Sequence, residues 1–110
     1  MSSNTDRAEL RRTLRQRRRA LPAAVRIAGA EALADRLLAL PFLPESGHVA
    51  GYWAMDGEIG LHAFQLRLPA ALVYCLPVLH DDGSLRFARW RAGDPLVTNR
   101  YGIPEPDVDP

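Results

Sequence analysis

The sequence predicts an α/β fold that is built around one strand–helix–strand unit. Residues 48–53 are largely apolar, residues 61–68 show apolar residues at helical spacing, and residues 72–77 form a continuous apolar run. Continuous apolar runs are typical of buried parallel strands. A strand, a helix and a second strand in this order favour parallel pairing through a right-handed crossover.

Two helices are predicted before this unit. The first begins at Asp6, where Glu9 completes a capping-box pattern, and continues to about Leu21. The second lies between Pro22 and Pro41, because proline is favoured in the first turn of a helix and cannot continue one. Its apolar residues recur at helical spacing and predict a buried face. They are Ile27, Ala30, Ala34, Leu37 and Leu40.

The segment after the unit predicts one more strand and an extended tail. Residues 85–90 alternate between polar and apolar, which is typical of a half-exposed strand. Turn signals flank them at 81–83 and 93–95. Residues 99–106 are punctuated by proline and predict extended chain.

The basic residues are crowded into the first helix, although the net charge of the chain is only +1. Seven of them are arginines between positions 7 and 19, and those at 7, 11, 15 and 18 share one helical face. A solvated helix explains such a run, and so does a site for a polyanion, either a nucleic acid or the phosphates of a nucleotide. The run has no interleaved aromatic residue, which argues against a site for single-stranded nucleic acid.

The composition excludes several classes of protein. At 110 residues the chain is at most one domain, and its single cysteine, Cys75, excludes an internal disulfide framework. Apolar runs are too short to span a membrane, and the N-terminus does not resemble a signal peptide, so a cytoplasmic protein is expected. His62 has no second histidine at ligand spacing, and no metal ligand is predicted.

The stretch 49–59 is the strongest candidate for a small-molecule site. Tyr52 and Trp53 end the first strand, a turn follows at residues 56–57, and Glu58 comes directly after the turn. Ligands of open α/β sheets bind beyond the carboxyl ends of the strands. The rings offer a stacking surface, and the carboxylate can accept two N–H bonds from the edge of a heterocycle. Alternatively, the two rings fill the core and Glu58 is a solvated turn residue.

Six segments, taken in order, resemble the N-terminal part of the 5-formyltetrahydrofolate cyclo-ligases, also called 5,10-methenyltetrahydrofolate synthetases. The most specific pair is Gly-Asp-Pro-Leu at 93–96 with Gly-Ile-Pro-Glu-Pro at 102–106. All six lie at residues 7–11, 17–21, 52–58, 75–77, 87–96 and 101–106.

The resemblance implies a three-layer, Rossmann-like α/β fold with a mixed, largely parallel sheet, truncated after the first strands. Residues 1–110 would form a single partial domain. The family's glycine-rich segment Gly-x-Gly-x-Gly-Tyr-Tyr-Asp has no match here. We therefore expect the C-terminal part of the domain, with its Mg²⁺ ligands, to be absent.

The resemblance also implies a reaction. ATP phosphorylates the formyl oxygen on N5 of the folate, the other folate nitrogen attacks the activated carbon, and phosphate leaves as the ring closes. The expected partners are thus ATP, Mg²⁺ and 5-formyltetrahydrofolate, with neither a membrane nor a nucleic acid.

Site residues follow from the same resemblance, and no catalytic residue is assigned. Glu58 would bind the N–H edge of the pterin. The implied ATP-binding residues are Arg7, Ala8, Glu9, Leu10 and Arg11. The implied substrate-binding residues are Arg11, Trp53, Met55, Glu58 and Tyr101. The alternatives are a module that binds nucleic acid or protein through the basic helix, and an inactive remnant of the enzyme.

Overall fold

The computed structural model describes residues 3–108, and it contains every helix and strand that the sequence predicts. The helices are α1 (Ser3–Ala20), α2 (Ala23–Leu38) and α3 (His62–Arg67). The strands are β1 (Gly47–Ala50), β2 (Leu72–Leu79), β3 (Leu85–Arg89), β4 (Leu96–Thr98) and β5 (Pro104–Pro106).

Three strands form a mixed sheet in the order β1-β2-β3. β1 and β2 pair in parallel with Val49 opposite Tyr74, and α3 connects them, which confirms the strand–helix–strand unit. β3 is antiparallel to β2, with Ala88 opposite Leu76. The predicted α/β class with a mixed sheet is confirmed. β4 and β5 pair separately as an antiparallel hairpin within the predicted extended tail.

The core lies between α2, α3 and one face of this sheet. Ala34 of α2 and Phe64 of α3 pack against Tyr74 and Leu76 of β2 and against Trp90. Leu76 is the most deeply buried large side chain, at 1% exposed. On β3, residues that alternate with the buried Ala88 face away from this core and are half-exposed, because successive strand residues point to opposite faces.

Three local predictions differ from the structure. α1 already includes Ser3, so Asp6 lies in its first turn and is not the N-cap residue. β1 ends at Ala50 rather than at residue 53, although the Gly51 N–H still donates to the Cys75 carbonyl at 2.8 Å. The Tyr74 hydroxyl occupies the space beside Gly51, where a Cβ would lie 2.0 Å from it. Ile27 is 65% exposed, because only the C-terminal half of α2 packs on the core.

α1 contacts the rest of the chain mainly through its C-terminal end. All residues from 6 to 14 are exposed, including the apolar Leu10 and Leu14. The radius of gyration is 16.2 Å, whereas about 13 Å is typical of a compact chain of this length. No helix within residues 3–108 has an apolar stretch of the length needed to cross a bilayer.

Glu105 is the buried polar residue that joins the hairpin to the sheet. Its carboxylate accepts the Leu79 N–H at 3.1 Å and the Asn99 side-chain amide at 3.3 Å, and the residue is only 8% exposed. β1 pairs with β2 only as far as Cys75, so the Leu79 N–H has no strand partner on that edge. The carboxylate therefore satisfies a backbone donor that the sheet leaves open.

Removing the Glu105 carboxylate tests this role. Glu105→Ala is expected to lower the free energy of unfolding by about 1–3 kcal/mol, because the partly buried Leu79 N–H then has no acceptor. Glu105→Gln keeps one acceptor oxygen and should lose less. Urea unfolding, followed by tryptophan fluorescence, gives both values. The exposed Glu45 supplies the control Glu45→Ala, and an equal loss in that variant would contradict the assignment.

Candidate functional site

A cleft of about 530 Å³ lies where the end of α1, the first turns of α2 and the segment 52–60 meet. Glu58, the carboxylate that the sequence singles out, lies on its wall. The cleft combines an aromatic ring, apolar side chains, two arginines and glycine backbone. Its lining residues are Arg18, Leu21, Val25, Arg26, Gly29, Tyr52, Gly57, Glu58, Ile59 and Gly60.

A tight turn at residues 55–58 orients Glu58. Asp56 and Gly57 have φ angles of 54° and 74°, and the Glu58 N–H donates to the Met55 carbonyl at 2.9 Å. Positive φ at both central residues is the signature of a type I′ turn, for which Asp-Gly is a preferred sequence. The Met55 N–H donates to Oε1 of Glu58 at 2.8 Å. Oε2 accepts no hydrogen bond from the described side chains or backbone, so it is available to a ligand.

The same turn is the docking point for the end of α1. A Cβ on Gly57 would lie 3.0 Å from the backbone carbonyl carbon of Arg18 and the backbone nitrogen of Arg19. The Arg19 guanidinium forms an ion pair and hydrogen bond with Asp56. That hydrogen bond, with the charges of Arg19 and its neighbours, holds the pKa of Asp56 below its usual value. The turn therefore fixes the helix end and the Glu58 carboxylate together.

Tyr52 forms the aromatic wall of the cleft. Its hydroxyl donates to the Ile59 carbonyl at 2.5 Å, which ties the strand end to the segment after the turn. Burial and the nearby Glu58 charge raise the pKa of Tyr52. The phenol therefore stays protonated at neutral pH and keeps its donor role.

Two arginines lie at the helix ends that border the cleft. Arg26 donates from Nε to the Leu21 carbonyl and from Nη2 to the Arg19 carbonyl, both at 3.1 Å. Arg18 has a buried Nε with no hydrogen-bond partner among the described residues. Sequence reasoning missed both as cleft residues. Arg18 was one of seven similar arginines, and Arg26 carried no local signal.

Among the substrate-binding residues expected from the resemblance, Glu58 is the one that lines this cleft. Trp53 is half-buried and packs edge-on against Trp90, with ring centroids 5.7 Å apart. Met55 supplies its backbone N–H and carbonyl to the turn. Tyr101 is 66% exposed in the turn before β5.

The expected ATP-binding residues, 7–11, lie on the exposed N-terminal part of α1. At 1.5 Å of rise per residue, Arg7 and Arg11 lie about 16 Å and about 10 Å along the helix axis from Arg18. They do not line the cleft that contains Glu58. Their contact with a nucleotide stays a prediction.

Other parts of residues 3–108 offer weaker sites. A larger cavity of about 660 Å³ lies between α3 and β3, and two of its polar side chains already form hydrogen bonds within the chain. Gln65 donates to the Trp90 carbonyl, and Asp94 accepts the Arg91 N–H. Within the same residues, no group of three or more His, Cys, Asp or Glu side chains could hold a metal ion.

Comparisons with known proteins identify a family. The model of the 5-formyltetrahydrofolate cyclo-ligase family matches residues 3–110. Two curated relatives named 5-formyltetrahydrofolate cyclo-ligase, from Escherichia coli strain K12 and Escherichia coli O157:H7, are each 35% identical over 100 residues. The match covers 87% of this chain and 54% of each relative, so the chain spans about half the length of these relatives. No solved structure matches the chain.

A pair of glycine variants tests the docking of α1 on the turn. Gly57→Ala and Gly83→Ala both place a Cβ at positive φ, which costs about 1–2 kcal/mol. Only Gly57→Ala also meets the α1 backbone, because nothing lies within 4 Å of a Cβ at Gly83. Urea unfolding should show a larger loss for Gly57→Ala. Equal losses would mean that α1 does not dock on this turn.

The Asp56 ion pair predicts a change with pH. The folded-state pKa of Asp56 is lowered, so its contribution to stability is present above the pKa of the unfolded chain and is lost as the pH falls through the folded-state pKa. Arg19→Gln should raise the Asp56 pKa and reduce this dependence. Carboxyl NMR titration measures the shift. Asp82, whose pKa is lowered by hydrogen bonds from Ser84, is the internal control that should not move.

Proposed function

We propose that this chain, which belongs to the 5-formyltetrahydrofolate cyclo-ligase family, carries the folate-binding part of an ATP-dependent enzyme. The reaction is the cyclisation of 5-formyltetrahydrofolate to 5,10-methenyltetrahydrofolate, with release of ADP and phosphate. The observation that carries this proposal is the Glu58 carboxylate, held by the 55–58 turn at the wall of a cleft.

Glu58 suits the N–H edge of a pterin. A pterin presents adjacent ring and amino N–H donors, which a carboxylate accepts in parallel, and such charge-assisted bonds are stronger than neutral ones. The bond from the Met55 N–H leaves Oε2 and one lone pair of Oε1 for the ligand. The Tyr52 ring then supports the plane of the heterocycle, and Leu21, Val25 and Ile59 exclude water from it.

Arg7 and Arg11 are the residues proposed to bind the ATP phosphates. They are exposed on α1, and guanidinium groups bind phosphate oxygens in a fork geometry. When bound, ATP supplies the phosphoryl group that activates the formyl oxygen. The residues that the structure describes do not form a magnesium site, and we assign none of them to the metal.

The exposed basic surface of α1 favours a second candidate, a module that binds nucleic acid. Its phosphate contacts would give an affinity that falls steeply with salt concentration. Residues 6–20 contain no aromatic side chain on which a base could stack, so the enzyme is the better supported candidate.

The test of the proposed function is the binding and conversion of 5-formyltetrahydrofolate by the purified chain. Glu58→Gln should weaken binding about 10- to 100-fold, since hydrogen bonds to charged groups contribute about 1.5–3 kcal/mol. Glu45→Gln, on an exposed loop, is the matched control. Titration calorimetry measures binding, and the absorbance of the methenyl product with ATP and Mg²⁺ measures conversion.

Two readouts separate binding from catalysis. We expect binding without conversion, because Arg7 and Arg11 alone provide neither a phosphate cradle nor a metal site. If the chain does convert 5-formyltetrahydrofolate and Glu58→Gln abolishes the conversion, the expectation of binding without conversion is wrong. The whole reaction would then be assigned to this chain. An unchanged affinity in Glu58→Gln would overturn the folate site.

A further inference from the structure

We propose that Arg18 and Arg26 form an anion subsite in the cleft that the carboxylate of Glu58 also lines. The subsite binds a carboxylate or phosphate group of the ligand whose heterocyclic end Glu58 holds. This inference rests on the proposed function and deepens it, because it names a second recognition element of the same site.

Arg18 has binding capacity that the chain does not use. Its side chain lines the cleft, and its Nε is buried without a hydrogen-bond partner among residues 3–108. A buried donor without an acceptor costs free energy, which a ligand oxygen would recover. The neighbouring Arg19 is neutralised by Asp56, but no described carboxylate lies within 4 Å of the Arg18 guanidinium. Its charge is therefore available to an anion.

Arg26 is held in place at the same edge of the cleft. Its Nε and Nη2 donate to the carbonyls of Leu21 and Arg19, and Nη1 has no acceptor among the described residues. Those carbonyls lie at the C-terminal end of α1, where the helix dipole is negative and would repel an anion. By satisfying them, Arg26 both offsets that repulsion and presents its remaining donors.

The cleft therefore carries charges of both signs. The 55–58 turn contributes the negative Glu58, and the helix ends contribute the positive Arg18 and Arg26. A volume of about 530 Å³ suits a ligand of drug size. The matching ligand is a planar heterocycle with an N–H edge that also carries an anionic group. An isolated phosphate ion matches only the basic end.

The test compares ligands with and without the anion. Titration calorimetry would use 5-formyltetrahydrofolate, 6-methyltetrahydropterin, which has no carboxylate, and inorganic phosphate. Arg18→Gln should weaken the binding of 5-formyltetrahydrofolate at least tenfold and change that of the pterin less than twofold. Arg17→Gln, on the same helix but exposed and outside the cleft, should leave both unchanged.

The phosphate titration distinguishes the two sources of the anion. If the folate carboxylates occupy the subsite, Arg18→Gln weakens 5-formyltetrahydrofolate, and phosphate competes with that ligand but not with the pterin. If a phosphate group occupies it, Arg18→Gln weakens phosphate alone. Both outcomes support the subsite. The subsite would be overturned if Arg18→Gln left the affinities for 5-formyltetrahydrofolate and for phosphate unchanged. It would also be overturned if Arg18→Gln weakened the binding of the pterin as much as that of 5-formyltetrahydrofolate.

Glu58→Gln separates this inference from the proposed function. It should weaken both pterin-containing ligands and leave phosphate unaffected, whereas Arg18→Gln should affect only the anions. If Glu58→Gln alone does not have its expected effect, the folate site is wrong and the subsite stands. If Arg18→Gln alone does not have its expected effect, the subsite is wrong and the folate site stands. Arg26→Lys provides a second variant, because it keeps the charge but loses the fork that caps α1.

Discussion

The close approach of α1 to the Asp56-Gly57 turn is the constraint on which the cleft depends. This approach needs a glycine at position 57 for two reasons. The residue has a positive φ, and a Cβ there would lie only 3.0 Å from the backbone of α1. The Arg19–Asp56 ion pair adds direction to this contact, although an exposed pair contributes little stability by itself. Without this contact, Arg18 and Glu58 would lie on independent segments and would not line the same cleft.

The two segments that carry the most specific resemblance to the family, residues 93–96 and 102–106, have a structural role in this chain. Gly-Asp-Pro-Leu leads into β4, and Gly-Ile-Pro-Glu-Pro supplies β5, with Leu96 opposite Pro106. Asp94 receives the Trp90 indole N–H on its backbone carbonyl, and Glu105 satisfies the open N–H of Leu79. In this chain, both segments therefore fix the hairpin to the sheet. Neither lines the cleft that contains Glu58.

The sequence predicted what depends on local pattern and missed what depends on long-range contact. The strand–helix–strand unit followed from apolar periodicity, and Glu58 followed from its place directly after an Asp-Gly turn. Trp53 carried the same positional signal but packs on Trp90, which is 37 residues later in the chain. The spacing of the arginines cannot show which of them meets the turn, because that depends on where α1 docks. Arg18 and Arg26 could be recognised only from the folded chain.

The geometry of α1 also separates the two ligands of the proposed reaction. A nucleotide on Arg7 and Arg11 would bind about 10–16 Å along the helix from the arginine that borders the folate cleft. Phosphoryl transfer needs the reacting atoms about 3–3.5 Å apart, so a nucleotide held there must extend its phosphates along the arginine face toward the cleft. Arg15 lies between these positions on the same face, one turn before Arg18. The arginines at 7, 11, 15 and 18 would therefore lie along the path between the two proposed sites, and such a path is one physical reason for the crowding of like charges on α1.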